Sequence, residues 1–371
     1  MMNFTQARKE LLSGLTISVA LVPEAISFAL LVGAAPQVGL WAAVFMALST
    51  AIFGGRPGLI SGATGATAVI LAALVNSHGM EYLFTGVLVA GLIQLIIWIS
   101  GAWQIFDKIP NLVMSGFLVA LAIMIFSSQL HYLDIGKPST LELIATLGVI
   151  SLAAIAMWKS ITRFSFPPAL SALAIGILLG VPLMLPTVGD ISPVSASLPT
   201  FTMPLLSWSA ILAVLPYSFG VAISGLTESL IAVGNEGSKK KETFAQGLGN
   251  IVSSLFNSMG GCVLIGQTNL NLTAGAKHRL SSLAAAFGLA LIILTLGKWI
   301  ELIPLAGLIG VMVVVVIQTG DWQALKTLNV YKMIVLFGTT SIALVTHNLA
   351  LGVIAGTILY YSIKKSALWQ K

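Results

Sequence analysis

Gly54-Gly55-Arg56-Pro57-Gly58-Leu59-Ile60-Ser61-Gly62-Ala63-Thr64 and Gly260-Gly261-Cys262-Val263-Leu264-Ile265-Gly266-Gln267-Thr268 lie in opposite halves of the chain and echo one another. Each opens on a Gly-Gly pair and reaches a later glycine followed two residues on by Thr. Each belongs to a hydrophobic segment too short, or too rich in Gly, Thr and Asn, to be a plain membrane-crossing helix. Glycine lets the backbone leave the helix, and small residues let neighbours pack close. Short, Gly-interrupted segments at corresponding places in two halves of a membrane chain point to a transporter's binding site.

The surrounding sequence makes the chain a membrane protein. Of its 371 residues 57% are hydrophobic and 8% are charged, against about 25% charged in a soluble domain. Such a chain cannot cover a water-facing surface, so lipid is its solvent over most of its area. The net charge of +6 comes from basic residues in short loops between apolar runs. No basic aromatic stripe accompanies them, which argues against nucleic-acid binding. The single cysteine, Cys262, excludes an internal disulfide framework or thiolate metal cluster. His78, His131, His278 and His347 are scattered at expected helix ends, so no metal site is expected. The first apolar run, from about Leu11, is too long for a cleavable signal and contains Pro23-Glu24.

About 20 apolar residues cross a bilayer. The hydropathy pattern predicts an all-α polytopic membrane protein of fourteen segments: 11–32, 37–53, 60–77, 82–101, 112–130, 139–157 and 166–185, then 207–233, 243–257, 263–273, 280–297, 302–318, 330–346 and 348–364. With a cytoplasmic N-terminus and strict alternation, one side holds Arg8, Lys9, Arg56, Lys108, Lys159, Arg163, Lys239, Lys240, Lys241, Lys277, Arg279, Lys326, Lys332, Lys364, Lys365 and Lys371. The other holds only Lys137 and Lys298, a split of 16 to 2 among the 18 basic residues. The positive-inside rule then puts both termini in the cytoplasm of a cell (inner) membrane protein. Adding or removing one segment would scramble the asymmetry.

The longest polar stretch, 186–206, divides the segments into seven and seven, as 1–185 and 207–371. An odd number per half means that the halves enter the membrane in opposite orientations, the mark of an inverted repeat. The quoted stretches are then the third and tenth segments. Each is expected to begin extended and turn helical mid-membrane. The N-terminus of such a half-helix carries partial positive charge and free N–H groups, which favour an anion. Two facing ends make an anion site without a buried Lys or Arg. Ala63, Thr64, Thr67, Gln267, Thr268 and Asn269 are the candidate substrate-binding residues.

Charges inside a bilayer are costly and functional by default. Of the twelve acids, ten fall in loops or near segment ends; Glu24 in the first segment and Glu228 in the eighth lie deep. Burial disfavours the charged carboxylate, so such groups suit proton uptake and release or pairing with a cation. Glu228 and Glu24 are the candidates for a coupling proton or sodium ion. Pro23, just before Glu24, interrupts the helix ladder and frees a carbonyl. No HExxH, Walker A or GxSxG motif is present, so neither an enzyme nor a cofactor is expected.

At these positions the chain resembles the SulP (SLC26-type) inorganic anion transporters. Gly14-Leu15-Thr16 through Pro23-Glu24-Ala25-Ile26-Ser27-Phe28-Ala29 resembles the family's first-segment motif, and Gly39-Leu40-Trp41-Ala42 its second-helix start. Gly54 to Ser61 with Thr64-Gly65 resembles the third-segment motif. Gly225 to Leu230 resembles "G-x-x-E-S-L", and Gly260-Gly261-Cys262 through Gly266-Gln267, Asn271 and Gly275 to Leu280 the tenth-segment stretch. The resemblance implies seven-plus-seven inverted repeats, shared with uracil transporters. It implies a core domain of segments 1–4 and 8–11, a gate domain of segments 5–7 and 12–14, and alternating access by movement of core against gate. It also implies a small anion (sulfate, bicarbonate, chloride or a dicarboxylate), moved with H+ or Na+ or by exchange, with the eighth-segment acid beside the substrate. A homodimer stays open. Family members usually carry a STAS domain after the last helix, whereas this sequence stops at Lys371: either a natural short form lacking that domain or a trimmed piece of a longer chain is expected. A nucleobase transporter of the same fold would carry a second carboxylate after the tenth half-helix; residues 262–280 contain no Asp or Glu. An uncoupled, channel-like anion pathway is the remaining alternative.

Overall fold

The computed structural model describes residues 3–130, 133, 140–163, 168–327 and 329–364. His131, Lys137, Lys365 and Lys371, which enter the readings above, lie outside the described residues. The helices of the first half are α1 (Phe4–Val32), α2 (Pro36–Phe53), α3 (Gly65–His78), α4 (Glu81–Ser100), α5 (Asn111–Leu130), α6 (Thr140–Arg163) and α7 (Pro168–Gly180). A short helical turn, α8 (Val188–Ile191), sits in the central polar stretch. The second half holds α9 (Trp208–Val233), α10 (Lys239–Leu255), α11 (Ile265–Thr273), α12 (Leu280–Glu301), α13 (Leu305–Thr319), α14 (Val330–Thr346) and α15 (Leu349–Lys364). Apart from α8, these are the fourteen expected segments. The third and tenth open extended, as β1 (Ser61–Gly62) before α3 and β2 (Cys262–Val263) before α11.

The packing has matching partners in the two halves. The contact of α1 with α12 has its counterpart in α9 with α4, and that of α2 with α12 in α10 with α4. In the same way α3 on α9 matches α11 on α1, α6 on α7 matches α14 on α15, and α13 on α6 matches α5 on α14. This is the pattern that two oppositely inserted seven-segment halves produce. Prolines sit inside α1 (Pro23) and α9 (Pro216), and both helices run on through them.

Several boundaries move outward from the hydropathy reading, because capping rather than apolarity sets them. Asn3 accepts a hydrogen bond from the Gln6 N–H at 2.8 Å and starts α1 before the apolar run. The Ser238 side chain caps α10 through the Lys241 N–H. In both cases a side-chain oxygen satisfies a helix-end donor that would otherwise be unpaired.

α10 is not apolar; it buries Glu242, Thr243, Gln246, Asn250 and Ser253, and it packs against α2, α4 and α9 rather than lipid. Glu242 and Glu10 are 0% exposed, although the sequence placed only Glu24 and Glu228 deep. Backbone donors replace water around both. Glu242 accepts from the Gly55 N–H (2.8 Å) and Gln246 Nε2 (2.6 Å). Glu10 accepts from the His278 and Ser281 N–H groups (2.9 and 3.1 Å) and from the Lys277 N–H, so it caps the start of α12. Arg279 donates to the Ala51 and Gly54 carbonyls (2.8 and 2.6 Å) at the end of α2. In the central stretch, Asp190 accepts from the Thr187 N–H and hydroxyl, which holds its carboxyl below the usual carboxylate range.

Two buried asparagines tie the extended stretches to the helices. Asn250 donates to Gln94 Oε1 (3.0 Å) and the Gly261 carbonyl (3.2 Å) and accepts from the Gly261 N–H (2.9 Å). Asn271 donates to the Gly58 carbonyl (2.9 Å) and Ser281 Oγ (3.0 Å) and accepts from Ser13 Oγ (2.7 Å). A buried group stripped of its partner costs about 1–3 kcal/mol. Asn250→Ala and Asn271→Ala should each lower the detergent-solubilised melting temperature, whereas Asn269→Ala, at an exposed position, should leave it unchanged. Equal melting curves for all three would remove the clamp from the account.

Candidate functional site

β1 and β2 pair antiparallel, with Ser61 opposite Val263 and Gly62 opposite Cys262. The pair fixes where both half-helices start. α3 begins after Thr64 and α11 after Leu264, and neither N-terminus has a side-chain cap. First-turn N–H groups of a helix have no partner within it, so two sets of donors start at adjacent points of the same crossing.

Glycine makes the crossing sterically feasible. Gly260 has φ +62°, and a Cβ there would meet Asn250 Oδ1 at 2.1 Å. A Cβ at Gly261 would lie 1.8 Å from the Gly62 carbonyl oxygen across the strand pair.

Of the residues expected from the sequence, Ala63, Thr64 and Thr67 are buried beside the crossing. Thr64 Oγ1 lies 2.9 Å from Cys262 Sγ and 3.2 Å from Thr67 Oγ1. Cys262 Sγ in turn donates to Glu228 Oε2 at 3.1 Å. The deep acid of α9 is thus wired to the start of α3 through β2. Gln267, in the first turn of α11, donates from Nε2 to Glu24 Oε1 at 2.6 Å. Thr268 turns toward the strand leader: its hydroxyl accepts from the Ile60 N–H (3.0 Å) and stands 3.4 Å from the Ile60 carbonyl. Asn269 is exposed and joins none of these bonds.

Several buried polar atoms in this region have no hydrogen-bond partner among the described residues: Glu24 Oε2, Ser27 Oγ, Ser224 Oγ, Thr227 Oγ1 and Gln267 Oε1. Unsatisfied buried polar atoms in a native protein need an explanation such as a functional ligand. No Lys or Arg side chain is buried among the described residues. Sequence reasoning missed Cys262, taken only as a bar to disulfides, and also Ser27, Ser224 and Thr227. The spacing of Ser224, Thr227 and Glu228 at i, i+3 and i+4 was the available signal, since it sets all three on one face of a helix.

A cavity of about 860 Å³ reaches Thr227, next to Glu228. Its walls include Trp103 and Phe106, Asn111 at the start of α5, Lys240 and Asp321. Lys239 at its rim pairs with Asp107. The cavity therefore opens on the face that carries the basic loops.

Helices that match between halves, crossed half-helices and a buried polar centre define a multi-pass membrane carrier. The chain belongs to the sulfate permease (SulP/SLC26) family, whose model matches residues 8–142 and 139–339. It is an anion transporter of that family and not an enzyme. It is 38% identical to the putative sulfate transporter YbaR of Bacillus subtilis, over 96% of this chain and 76% of that one. It is 30% identical to the bicarbonate transporter BicA of Picosynechococcus, over 87% of this chain and 64% of that one. Among solved structures, the transmembrane domain of a cyanobacterial BicA superposes with a TM-score of 0.82 at 25% identity, covering 94% of this chain and 98% of that one. SLC26A9 shares the fold, with a TM-score of 0.81 at 16% identity over 97% of this chain and 66% of that one.

Proposed function

We infer that the protein is a secondary active transporter of a small oxyanion of the sulfate or bicarbonate class. One observation carries the reading: two uncapped helix N-termini begin side by side at a strand crossing, in a centre with no buried cationic side chain. Helix-end N–H groups and threonine hydroxyls suit an anion that needs several donors and no fixed countercharge. The anion sits before α3 and α11, near Ala63, Thr64, Thr67, Gln267, Thr268 and Asn269. The names of YbaR and BicA support sulfate or bicarbonate as the cargo class.

In this reading residues 1–185 and 207–371 are the two repeats, joined by 186–206 outside the membrane. α1–α4 and α9–α12, excluding the connecting turns, form a core that slides elevator-fashion against a gate of α5–α7 and α13–α15. The cavity that ends at Thr227 is the path to the cytoplasm. Glu228 and Glu24 take up the coupling proton or sodium ion in the plasma (inner) membrane.

The test is uptake of labelled sulfate and bicarbonate into proteoliposomes under an imposed pH or sodium gradient. Accumulation of either anion above equilibrium is expected with one gradient. Equal, gradient-independent equilibration of both anions would favour the uncoupled pathway instead.

A further inference from the structure

Cys262 is the chain's single cysteine, is fully buried, and stands between the two groups whose communication a coupled carrier needs. On one side its sulfur is 3.1 Å from Glu228 Oε2, and on the other 2.9 Å from Thr64 Oγ1. Thr64 occupies the N-cap position of α3, where a threonine hydroxyl ordinarily accepts from a first-turn N–H. Here it makes no such bond; it is turned onto the thiol and also stands 3.2 Å from Thr67 Oγ1, whose own hydroxyl donates to the Thr64 carbonyl at 3.1 Å. On the same turn of α9 as Glu228, Thr227 is 2% exposed, its hydroxyl has no hydrogen-bond partner among the described residues, and the residue lines the cavity. The Glu228 end of the relay therefore lies beside a buried, unpartnered hydroxyl on a cavity-lining residue.

We propose that the Cys262 thiol is a positioning group that transmits the protonation state of Glu228 to the Thr64 hydroxyl at the start of the α3 half-helix. The argument is a count of hydrogens, and it rests on the reading of Glu228 as a coupling acid. A thiol has one hydrogen and can donate to one partner. When Glu228 is ionised it is the stronger acceptor, because bonds to a charged acceptor are roughly twice as strong as neutral ones. The thiol then donates to Glu228, and its sulfur accepts the Thr64 hydroxyl hydrogen. Thr64 has no hydrogen left for an anion in front of α3. When Glu228 is neutral, its own O–H donates to the sulfur. The thiol hydrogen turns to Thr64 Oγ1, and the Thr64 hydrogen is freed toward the anion. Neutralising Glu228 thus adds one donor to the anion site and removes one negative charge beside it. No proton passes along the relay; hydrogens only change direction.

The groups that face Glu228 are few. Cys262 comes from β2, and Glu24 of α1 interacts with Glu228 electrostatically. Glu242 of α10 acts on Cys262. α11 carries no titratable side chain, while α3, α4 and α15 carry theirs at or near helix ends, as His78, Glu81 and Tyr82, and Tyr360, Tyr361 and Lys364.

Because there is one cysteine, the infrared S–H stretch is a single band and reports this bond alone. In reconstituted protein the band should move toward weaker hydrogen bonding as the pH is lowered through the range in which uptake changes. In Glu228→Gln it should not move with pH. A wild-type band that ignores pH would overturn the relay. Transport gives the second measurement. With one proton linked to one anion, the anion KM of the wild type changes up to about tenfold per pH unit. Cys262→Ala, checked for an unchanged melting temperature, should show less than half that slope on a logarithmic scale, and Cys262→Ser should restore it. A full slope in Cys262→Ala would sink the relay and leave Glu228 coupling intact. Anion uptake without any pH slope in the wild type would instead sink proton coupling at Glu228, and the relay with it.

Discussion

Glu228→Gln should bind anion and exchange it across the membrane, yet fail to accumulate it in response to a pH or sodium gradient. Glu228 is 6% exposed, its described hydrogen-bond partner is a thiol, and no basic side chain is buried with it. A carboxylate in such surroundings must be neutralised by a proton or a bound cation, because an isolated buried charge is prohibitively costly. An anion arriving at the α3 and α11 ends is repelled until that has happened. In the proposed reading the order of events is the coupling: cation first, anion second, both released together on the other side. Glutamine fixes the neutral state permanently, so the anion site is always ready and the gradient has nothing to act on. One pKa unit of linkage corresponds to about 1.4 kcal/mol, so a one-unit pH gradient supports up to about tenfold accumulation by a one-proton carrier. In the variant the ratio should fall to about one, while counterflow exchange persists. For proton coupling the sign is fixed: wild-type uptake should weaken as pH rises and Glu228 ionises, and the variant's should not. A merely structural Glu228 would give lower expression with gradient dependence intact. Wild-type accumulation by a well-folded Glu228→Gln would exclude it as the coupling group.

The fold was legible because lipid imposes a coarse rule. Apolar runs long enough to span, basic loops on one side and an odd number of segments per half give the architecture without knowledge of any contact. The half-helices were legible for the opposite reason: Gly54-Gly55 and Gly260-Gly261 break the rule at matching places. What was not legible is what lies under the loops. Glu10 and Glu242 stand near segment ends, where a carboxylate normally meets water, and only the folded loops bring the Ser281 and Gly55 N–H groups onto them. The hydropathy pattern starts the ninth segment at residue 243 because Lys239, Lys240 and Lys241 look like loop, whereas Ser238 caps a helix that already contains them. Cys262 was discounted because a single thiol makes no disulfide. Its contacts with Glu228 and Thr64 depend on the β1–β2 register, which no local pattern encodes. Thr268 is a substrate-site candidate from the sequence, and its bond to the Ile60 N–H is likewise a product of that register.

Gly261→Ala should abolish transport although it adds one methyl group. The ideal Cβ would sit 1.8 Å from the Gly62 carbonyl oxygen, 2.6 Å from its carbon and 3.1 Å from the Ala63 Cα, and all of these are backbone atoms. No rotamer change can relieve the contact, so the strands must separate. Separation breaks the Gly62–Cys262 pairing and loosens the Asn250 bonds that hold Gly261 on both its N–H and its carbonyl. Overpacking a tight core costs about 1–3 kcal/mol, and here the strain falls on the element that aims both helix ends. Even a variant that folds should therefore lose anion binding, because donors that diverge no longer reach one anion. Uptake below about a tenth of wild type is expected, a loss of roughly 1.4 kcal/mol or more in transition-state terms. Gly266→Ala is the matched control: it lies in the first turn of α11, and its Cβ would meet nothing within 4 Å. Its melting temperature should equal that of the wild type, which separates crowding at the crossing from a general intolerance of alanine in this segment. Normal uptake by Gly261→Ala would mean that the strands can part without moving the half-helices, and the crossing would then not be what positions the anion.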